Sequence, residues 1–347
     1  MEKLYAGLDI GGQSIKGVVL DTRGRVRREL SRVTPSSEGA TAVLAVIGAV
    51  VRELSLAGAI TSVGVGTPGG IDREGVIVGI AANISGWYGT RLGEEIATMA
   101  KAPCSVRNDG NIAAFAEWAV RGGRSRGLLF VGLGTGIGGG FIEDGRILGG
   151  RNDMALEIGH IVVEPWGRSC NCGVDGCSEA YASGPSIGRI ATALGRGEEA
   201  MLGTLARAAA PAQSWLGSPL AARALSGELF NAHEVYEAYA AGDPLALAVD
   251  AIASEALARA ISTALAMLAP DTVVIGGGVL AGSPHLVARI AGLVPRYVYE
   301  DAWKHCGFEK AQFAHKAGLL GAALYGASLV VDRSELLGLA SRASESI

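Results

Sequence analysis

A pattern of strand, glycine-rich turn and strand occurs twice in this chain, and it constrains the fold more than any other feature. Residues 4–21 read LYAGLDIGGQSIKGVVLD, and residues 128–144 read LLFVGLGTGIGGGFIED. In each copy an apolar strand enters the turn, and a second apolar strand ends in an acidic residue. The copies lie about 125 residues apart, far more than the period of a solenoid repeat. The sequence therefore predicts a duplicated α/β domain, each copy opening with a hairpin whose turn binds phosphate.

The segments that follow each hairpin alternate between strand and helix patterns. Strands are predicted over residues 62–66, 104–107 and 272–275. Helices are predicted over residues 42–56, 91–100, 185–209 and 245–268. Residues 210–244 are rich in alanine and glycine and show only weak periodicity. This alternation is typical of an α/β fold whose sheets are covered by helices, and we expect two lobes around a central cleft.

Composition excludes several classes of protein. Of the 347 residues, 49% are hydrophobic and 18% are charged, which favours a two-domain protein with a sizeable core. The net charge of −4 argues against a nucleic-acid partner. We expect no secretory leader, and the longest apolar run, residues 42–51, is too short to span a membrane. The cysteine usage suits a reducing compartment, so we expect a cytoplasmic protein with no membrane partner.

One histidine and three cysteines lie within 18 residues: His160, Cys170, Cys172 and Cys177. Three thiolates and an imidazole form the ligand set of a closed, structural zinc site, whose four protein ligands leave no position for a catalytic water. An ordinary loop or a disulfide is the alternative interpretation. Glu157 and Glu179 bracket the cluster, so a structural metal would hold these two carboxylates in place.

Three glycine-rich segments are candidates for nucleotide binding. In the first hairpin turn, glycine allows backbone N–H groups to approach a phosphate closely, and Asp9 at the strand end can hold Mg²⁺ through water. The second hairpin turn spans residues 132–140, and a third glycine cluster at 276–278 would let a nucleoside lie against the backbone. A single such turn is often purely structural. Two at matching places in a duplication favour phosphate binding.

Asn108 and Asp109 stand at the end of a predicted strand and the start of a predicted helix. Ligand sites in α/β proteins favour this edge of a sheet, and an aspartate there can take a proton from an attacking hydroxyl. The alternative is that Asp109 only caps the helix.

Eight short motifs follow one another along residues 4–330. They are DIGG at 9–12, GTPGG at 66–70, NISGW at 83–87, NDGN at 108–111, GLGTGIGGG at 132–140, EIGH at 157–160, CNCGVDGCSE at 170–179 and VVIGGGV at 273–279. Together they resemble the ROK family of sugar kinases, within the actin-like ATPase superfamily. The resemblance implies a duplicated ribonuclease H-like fold. It further implies ATP-dependent phosphorylation of a hexose or N-acetylhexosamine at the C6 hydroxyl, with a non-catalytic sugar-sensing ROK protein as the alternative.

The resemblance also implies a role for each matching residue. Asp109 would be the general base. The sugar would be bound by Gly69, Asn83, Asn108, Glu157, His160 and Glu179. Mg²⁺ and ATP would be bound by Asp9, Gly11, Gly12, Gly134, Thr135, Gly136, Gly277 and Gly278. One ring nitrogen of His160 would ligate zinc and the other would face the sugar.

The chain departs from the family pattern at Gln13, where the family usually has threonine. A long amide cannot make the phosphate contact of a short hydroxyl, so this change puts the role of residue 13 in doubt. For the domains we expect an N-terminal lobe over 1–118, joined by a C-terminal helix at about 316–347. The second lobe is expected over 119–315 and includes the zinc loop 157–179. A homodimer is expected by analogy with similar proteins.

Overall fold

The computed structural model of the protein describes residues 2–79, 84–198, 201–208, 215, 217–313 and 316–345. Within them the strands are β1 (Leu4–Ile10), β2 (Ser14–Asp21), β3 (Val26–Val33), β4 (Ser62–Thr67), β5 (Cys104–Asn108), β6 (Gly127–Leu133), β7 (Ile137–Glu143), β8 (Arg146–Ile147), β9 (Thr272–Gly276) and β10 (Gly307–Lys310). The α-helices there are α1 (Ala40–Leu54), α2 (Leu92–Ala100), α3 (Asp109–Val120), α4 (Glu179–Ala182), α5 (Gly184–Gly195), α6 (Pro219–Leu225), α7 (Ala232–Ala240), α8 (Pro244–Leu268), α9 (Val279–Gly282), α10 (Leu286–Leu293), α11 (Glu300–Trp303), α12 (Ala317–Ala327) and α13 (Arg333–Ser344).

The strands form two five-stranded sheets with the same topology. The first has the order β3-β2-β1-β4-β5, and the second has the order β8-β7-β6-β9-β10. In the first sheet β1, β2 and β3 pair antiparallel, whereas β4 pairs parallel with both β1 and β5. The second sheet repeats the antiparallel pairing of β7 with β8 and the parallel pairing of β9 with β10. The predicted duplication of an α/β domain is confirmed.

Packing divides the chain into two units. The first comprises residues 1–130, 140–156 and 311–347, and the second comprises residues 131–139 and 157–310. The C-terminal segment thus packs with the N-terminal unit. The lobe boundary that we expect between residues 118 and 119 stays a prediction.

Helices cover both faces of the first sheet. Successive residues of a strand point to opposite faces, so neighbouring residues of β1 contact different helices. On one face Leu8 belongs to a buried apolar cluster with residues of α1, among them Val43 and Ile47. On the other face Gly7 meets α12 so closely that a Cβ atom on Gly7 would lie 2.4 Å from the backbone nitrogen of Ala323.

A second glycine brings β4 equally close to α12. A Cβ atom on Gly64 would lie 1.9 Å from the carbonyl oxygen of Ala322. A side chain at this position would push the helix off the sheet, so glycine is required for close packing rather than for backbone freedom. Helix α12 is therefore part of the core of the first unit.

The second unit is built around α8, a buried helix of 25 residues. Its predicted range, 245–268, is confirmed within one residue. The predicted helix over 185–209 is wrong for the described residues beyond Gly195, because Gly197 has a φ of +71° that an α-helix cannot continue through. Residues 199, 200 and 209 of that prediction lie outside the described residues. A separate 3₁₀ helix follows at Gly203–Ala208. The uncertain stretch 210–244 contains α6 and α7, and its residues 210–214 and 216 lie outside the described residues.

Two helical stretches in the described part of the chain are long and apolar enough to cross a membrane, Ala40–Ala57 and Pro244–Leu268. The first stretch is longer than the apolar run 42–51 noted in the sequence, because it includes all of α1 and the 3₁₀ turn that follows it. Core helices of soluble proteins pass the same test, and in the second stretch 72% of the most apolar window is buried. These two stretches are therefore weak evidence for a membrane span, and the absence of a membrane partner stays a prediction.

Candidate active site

Asp109 lies where a strand of the first sheet passes into a helix. Strand β5 ends at Asn108, and α3 begins at Asp109. The side-chain oxygen of Asn108 accepts a hydrogen bond from the N–H of Gly110 at 2.9 Å, and Asp109 Oδ1 shares that donor at 2.9 Å. Asn108 is thus the N-cap of α3. The sequence alone also allowed this role for Asp109. The capping requirement of the helix is met without Asp109, so its carboxylate remains suited to chemistry.

The surroundings of Asp109 favour its action as a proton acceptor. The residue is exposed to water, yet nearby protein atoms disfavour the charged form and raise the pKa of its carboxyl above the usual aspartate value. Hydrogen bonds from the N–H groups of Gly110 and of Asp109 itself oppose this rise in pKa. A carboxylate with a raised pKa is a stronger base than an ordinary aspartate.

A second carboxyl of the first unit, that of Asp9, acts electrostatically on Asp109. Asp9 is in β1 and pairs with Lys16 across the hairpin. Burial raises the pKa of Asp9 to about 6; the Lys16 ammonium opposes this shift, and the negative charge of Asp109 adds to it. Gly318 of α12 faces the carboxyl, since a Cβ atom there would lie 3.4 Å from Asp9 Oδ2. The site thus holds two carboxyls that repel each other in a partly buried setting.

The first glycine turn is held by its own backbone and by Thr34. The N–H of Gly11 donates to the carbonyl of Ser14 at 2.9 Å. The hydroxyl of Thr34 donates to the carbonyl of Gly11 at 2.6 Å, and its N–H donates to the carbonyl of Gln13 at 3.1 Å. Sequence analysis missed Thr34, because the contact of the residue that follows β3 cannot be predicted from the hairpin alone. The side chain of Gln13 is exposed, so the turn does not depend on it for its shape.

The second glycine turn is supported by Glu179. Glu179 Oε2 accepts a hydrogen bond from the N–H of Ile137 at 2.8 Å, and a Cβ atom on Gly136 would lie 2.6 Å from the same oxygen. The N–H of Gly134 donates to the carbonyl of Gly136 at 2.9 Å and closes the turn. One oxygen of Glu179 is therefore engaged with this turn, in addition to the sugar contact predicted for the residue.

A cavity of about 870 Å³ opens beside this turn in the second unit. It brings together three of the residues predicted to bind the cofactor, namely Gly134, Thr135 and Gly278. Gly136 and Gly277 instead pack against neighbouring protein, since a Cβ atom on Gly277 would lie 2.2 Å from the carbonyl oxygen of Leu133.

The rest of this cavity is formed by residues that sequence analysis did not identify. They include Pro185, Arg189, Phe230, His233, Tyr236 and Val279. Most come from α5, α7 and the segment before α7, where the alanine-rich sequence shows little periodicity. The aromatic residues of that stretch, Phe230 and Tyr236, were the sequence signal that could have identified it as part of a binding site. The lining is mainly apolar with a few polar groups, as in small-molecule binding sites generally.

The four residues predicted to bind zinc are brought together in the second unit. One candidate ligand atom from each of His160, Cys170, Cys172 and Cys177 lies within 4.8 Å of the others. Cys170 Sγ is 3.7 Å from His160 Nδ1, and Cys172 Sγ is 3.6 Å from Cys177 Sγ. All three cysteines are free thiols, so the alternative of a disulfide is wrong.

The residues predicted to bind the sugar fall in both units. In the first unit Asn108 Nδ2 donates to the carbonyl of Gly69 at 3.4 Å, which joins two of the predicted positions. Glu157, His160 and Glu179 are in the second unit, where the N–H of His160 donates to the carbonyl of Glu157 at 2.9 Å. Asn83 lies outside the described residues.

Comparison with known proteins decides the family. The model of the ROK family matches residues 5–327. The chain belongs to the ROK family. Among the similar proteins, a glucokinase of Thermotoga maritima is 31% identical over 318 residues, which cover 91% of this chain and 95% of the relative. An N-acetylmannosamine kinase of Citrobacter koseri is 29% identical over 318 residues, with 91% of this chain and 96% of the relative covered.

A solved ROK structure has the same fold. The glucokinase of Streptomyces griseus, determined in complex with glucose and AMPPNP, matches with a TM-score of 0.72 and 28% identity. The match covers 94% of this chain and 99% of that one. The predicted actin-like ATPase fold of this ROK protein is confirmed.

Proposed function

We propose that the protein is an ATP-dependent kinase that phosphorylates a hexose or an N-acetylhexosamine at the C6 hydroxyl. The observation that carries the proposal is Asp109, a carboxylate of raised pKa at the junction of β5 and α3, in a chain whose ROK relatives are named sugar kinases. A non-catalytic sugar sensor would not require such a base. The kinase is therefore favoured over the sensor.

Asp109 takes the proton of the sugar hydroxyl as the hydroxyl oxygen forms a bond to the γ-phosphorus and the bond to ADP breaks. Phosphoryl transfer requires positioning, a base and neutralisation of charge on the phosphate oxygens. Backbone N–H groups of the two glycine turns that are not already bonded within the protein would supply donors for those oxygens. The family resemblance assigns the orientation of the sugar to Asn108 in the first unit and to Glu157 and His160 in the second.

The cavity beside the second glycine turn is the proposed nucleotide site. Gly134 and Thr135 would contact the phosphates, and Gly278 with the apolar lining would contact the adenosine. Gly136 supports the turn through its close contact with Glu179. A volume of about 870 Å³ is enough for a nucleotide, since small-molecule sites commonly span roughly 300–1,000 Å³.

Asp9 fits the proposed magnesium site. Its ionised form is disfavoured by burial and by Asp109, and oxygen donors of this kind suit a hard cation such as Mg²⁺. Asp9 would hold the ion through water, and Gly11 and Gly12 would lie beside the phosphates. Bound Mg²⁺ would supply neutralisation of the charge on the ATP phosphates.

The cluster of three cysteines and one histidine fits structural zinc. Tetrahedral zinc with sulfur ligands at 2.3 Å places those sulfurs about 3.8 Å apart. The observed separation of 3.6 Å between Cys172 and Cys177 is close to that value. His160 presents Nδ1 to the cluster, which leaves Nε2 for the sugar. The metal would hold the segment that carries Glu157 and His160.

Release of ADP from Mg-ATP, measured against a panel of hexoses and N-acetylhexosamines with a no-sugar control, tests the function. We expect strong stimulation by one sugar, with the phosphate located on the C6 oxygen by NMR of the product. Sugar binding without stimulation by any member of the panel would overturn the kinase assignment in favour of the sensor. In that case Gln13 would be the first residue to change to threonine.

Replacement of Gly278 by leucine tests the nucleotide cavity. Gly278 has an ordinary helical φ of −66°, and a Cβ atom there would meet no atom within 4 Å, so the fold should accept a side chain that then occupies the cavity. We expect the KM for ATP to rise at least about tenfold, equivalent to ~1.4 kcal/mol of lost binding, with an unchanged Tm. Gly292→Leu is the matched control, because Gly292 in α10 is equally open and lies away from the cavity. An unchanged KM in Gly278→Leu would place ATP elsewhere.

The cytoplasmic location, the homodimer and the absence of nucleic-acid or membrane partners remain predictions. They rest on composition and on analogy. Size-exclusion chromatography with light scattering would test the oligomeric state directly.

A further inference from the structure

Asp153 is a buried carboxylate beside the proposed base. Its side chain is only 2% exposed, and a buried charge is costly unless it is fully hydrogen-bonded. Asp153 Oδ1 accepts a hydrogen bond from Arg107 Nη1 at 3.1 Å, and Asp153 Oδ2 accepts one from the N–H of Asn108 at 2.8 Å. Its main-chain carbonyl accepts a third from Asn111 Nδ2 at 3.0 Å. Both carboxylate oxygens and the main-chain carbonyl of Asp153 are thus hydrogen-bonded to residues close to Asp109 in the sequence.

The backbone of Asp153 is strained in a way that its surroundings must maintain. Its φ is +60°, and the preceding Asn152 has a φ of +56°. Residues other than glycine rarely adopt this left-handed region, although aspartate and asparagine do so more often than most. Gly149 makes room for the carboxylate, since a Cβ atom there would lie 2.3 Å from Asp153 Oδ1. Strain of this kind persists where several contacts enforce it, and it is often found at functional sites.

The partners of Asp153 flank the base on both sides. Arg107 and Asn108 end β5, and Asn111 is in the first turn of α3. Asn108 in turn caps the helix at Gly110 and contacts the carbonyl of Gly69, which is predicted to line the sugar pocket. A change at Asp153 therefore displaces the start of α3, and with it Asp109, without removing any group that touches the substrate.

Arg107 is anchored independently of Asp153. Its Nε donates to the hydroxyl of Tyr325 at 2.8 Å, and its guanidinium lies 5.4 Å from the centre of the Tyr325 ring. Tyr325 belongs to α12, the helix that packs on the first sheet. The chain of contacts from α12 through Arg107 and Asp153 to Asn108 thus connects the core of the first unit to the base.

We propose that Asp153 is a positioning residue for phosphoryl transfer: its carboxylate fixes Asn108 and so sets the orientation of Asp109. The proposal rests on the proposed function, in which Asp109 is the base. Asp153 touches no substrate atom in this scheme, so it acts on kcat through geometry.

Asp153→Gly separates positioning from stability. Glycine adopts a positive φ without strain, which should offset part of the stability lost with the two side-chain hydrogen bonds, so the variant should still fold. We expect kcat to fall roughly 10- to 100-fold, as for other small misplacements of reacting groups, with the KM for sugar and ATP within about threefold. Asp153→Asn keeps the size of the side chain, but its NH₂ group would face either Arg107 Nη1 or the N–H of Asn108, both of which are donors. One of the two hydrogen bonds would be lost, so kcat should fall as well.

Asn152→Gly is the matched control, because it relieves the same strain one residue away and leaves the carboxylate in place. Its kcat should stay near the wild-type value. A purely structural role for Asp153 would lower the Tm of Asp153→Gly and leave kcat per folded enzyme unchanged, which would overturn the proposal. A kcat loss in Asn152→Gly as large as in Asp153→Gly would overturn it too.

Asp109→Asn, assayed in parallel, distinguishes the two hypotheses. If Asp109→Asn is inactive and Asp153→Gly is fully active, positioning by Asp153 is wrong and the base assignment stands. If Asp109→Asn is active, the proposed base is wrong whatever Asp153 does.

Discussion

Asp109→Asn is expected to lower kcat for sugar phosphorylation by about 10²–10⁴-fold, the usual contribution of a general base. The amide has nearly the same shape as the carboxylate but cannot accept a proton. Because Asn108 caps α3, the helix start should survive the change, and the KM for the sugar should stay within about threefold. Single-turnover kinetics with saturating Mg-ATP, together with sugar binding by calorimetry, would measure the two effects separately.

Asp301→Asn is the matched control for Asp109→Asn. Asp301 is an exposed acid in α11 whose ion-pair partner is Lys304, so its neutralisation removes the same charge at a residue that is not among the predicted site residues. Its kcat should equal that of the wild type. A kcat in Asp109→Asn within a few fold of the wild type would exclude Asp109 as the base.

Cys172→Ser is expected to lose zinc and sugar affinity together. Within the described residues, the segment 157–179 has only a 3₁₀ turn at Ile158–His160, the start of α4 and isolated bridges such as Val162 with Cys177. Little regular structure therefore holds the loop, and the metal would supply much of its order. We expect elemental analysis to show near-complete zinc loss and the KM for the sugar to rise roughly 10- to 100-fold.

The control is Cys306→Ser, which removes a thiol outside the cluster and should retain both zinc and sugar affinity. Retention of full sugar affinity by a zinc-free Cys172→Ser protein would show that the metal does not support the sugar site. Retention of zinc by that variant would instead exclude Cys172 as a ligand.

Features with a strong local pattern could be predicted from the sequence. The two hairpins, α8 and the junction of β5 with α3 all combine a clear hydrophobic period with a glycine turn or a capping residue. The clustering of His160 with the three cysteines could be predicted as well, because these residue types and their spacing are found in one short segment. The prediction of a helix over 185–209 failed because alanine favours helix wherever it occurs, whereas the end of α5 depends on the left-handed backbone of Gly197.

The parts that could not be predicted depend on contacts between distant segments. Asp153 looks like a surface acid in a polar loop, and only its burial against Arg107 and Asn108 reveals its connection to the segment that carries the proposed base. Phe230 and Tyr236 line the cavity from a region whose helices, α6 and α7, are too short to give a clear period. Thr34 likewise shows its contact with Gly11 only once β3 is in place.

The close contact of Gly7 and Gly64 with α12 also bears on how the protein is made. The first sheet is complete once residue 108 leaves the ribosome, but the helix that covers one of its faces ends at residue 327. During translation of the intervening residues that face lacks its cover, and exposed apolar sheet surface is prone to aggregation. The N-terminal unit can thus reach its final packing only after residue 327 has been synthesised.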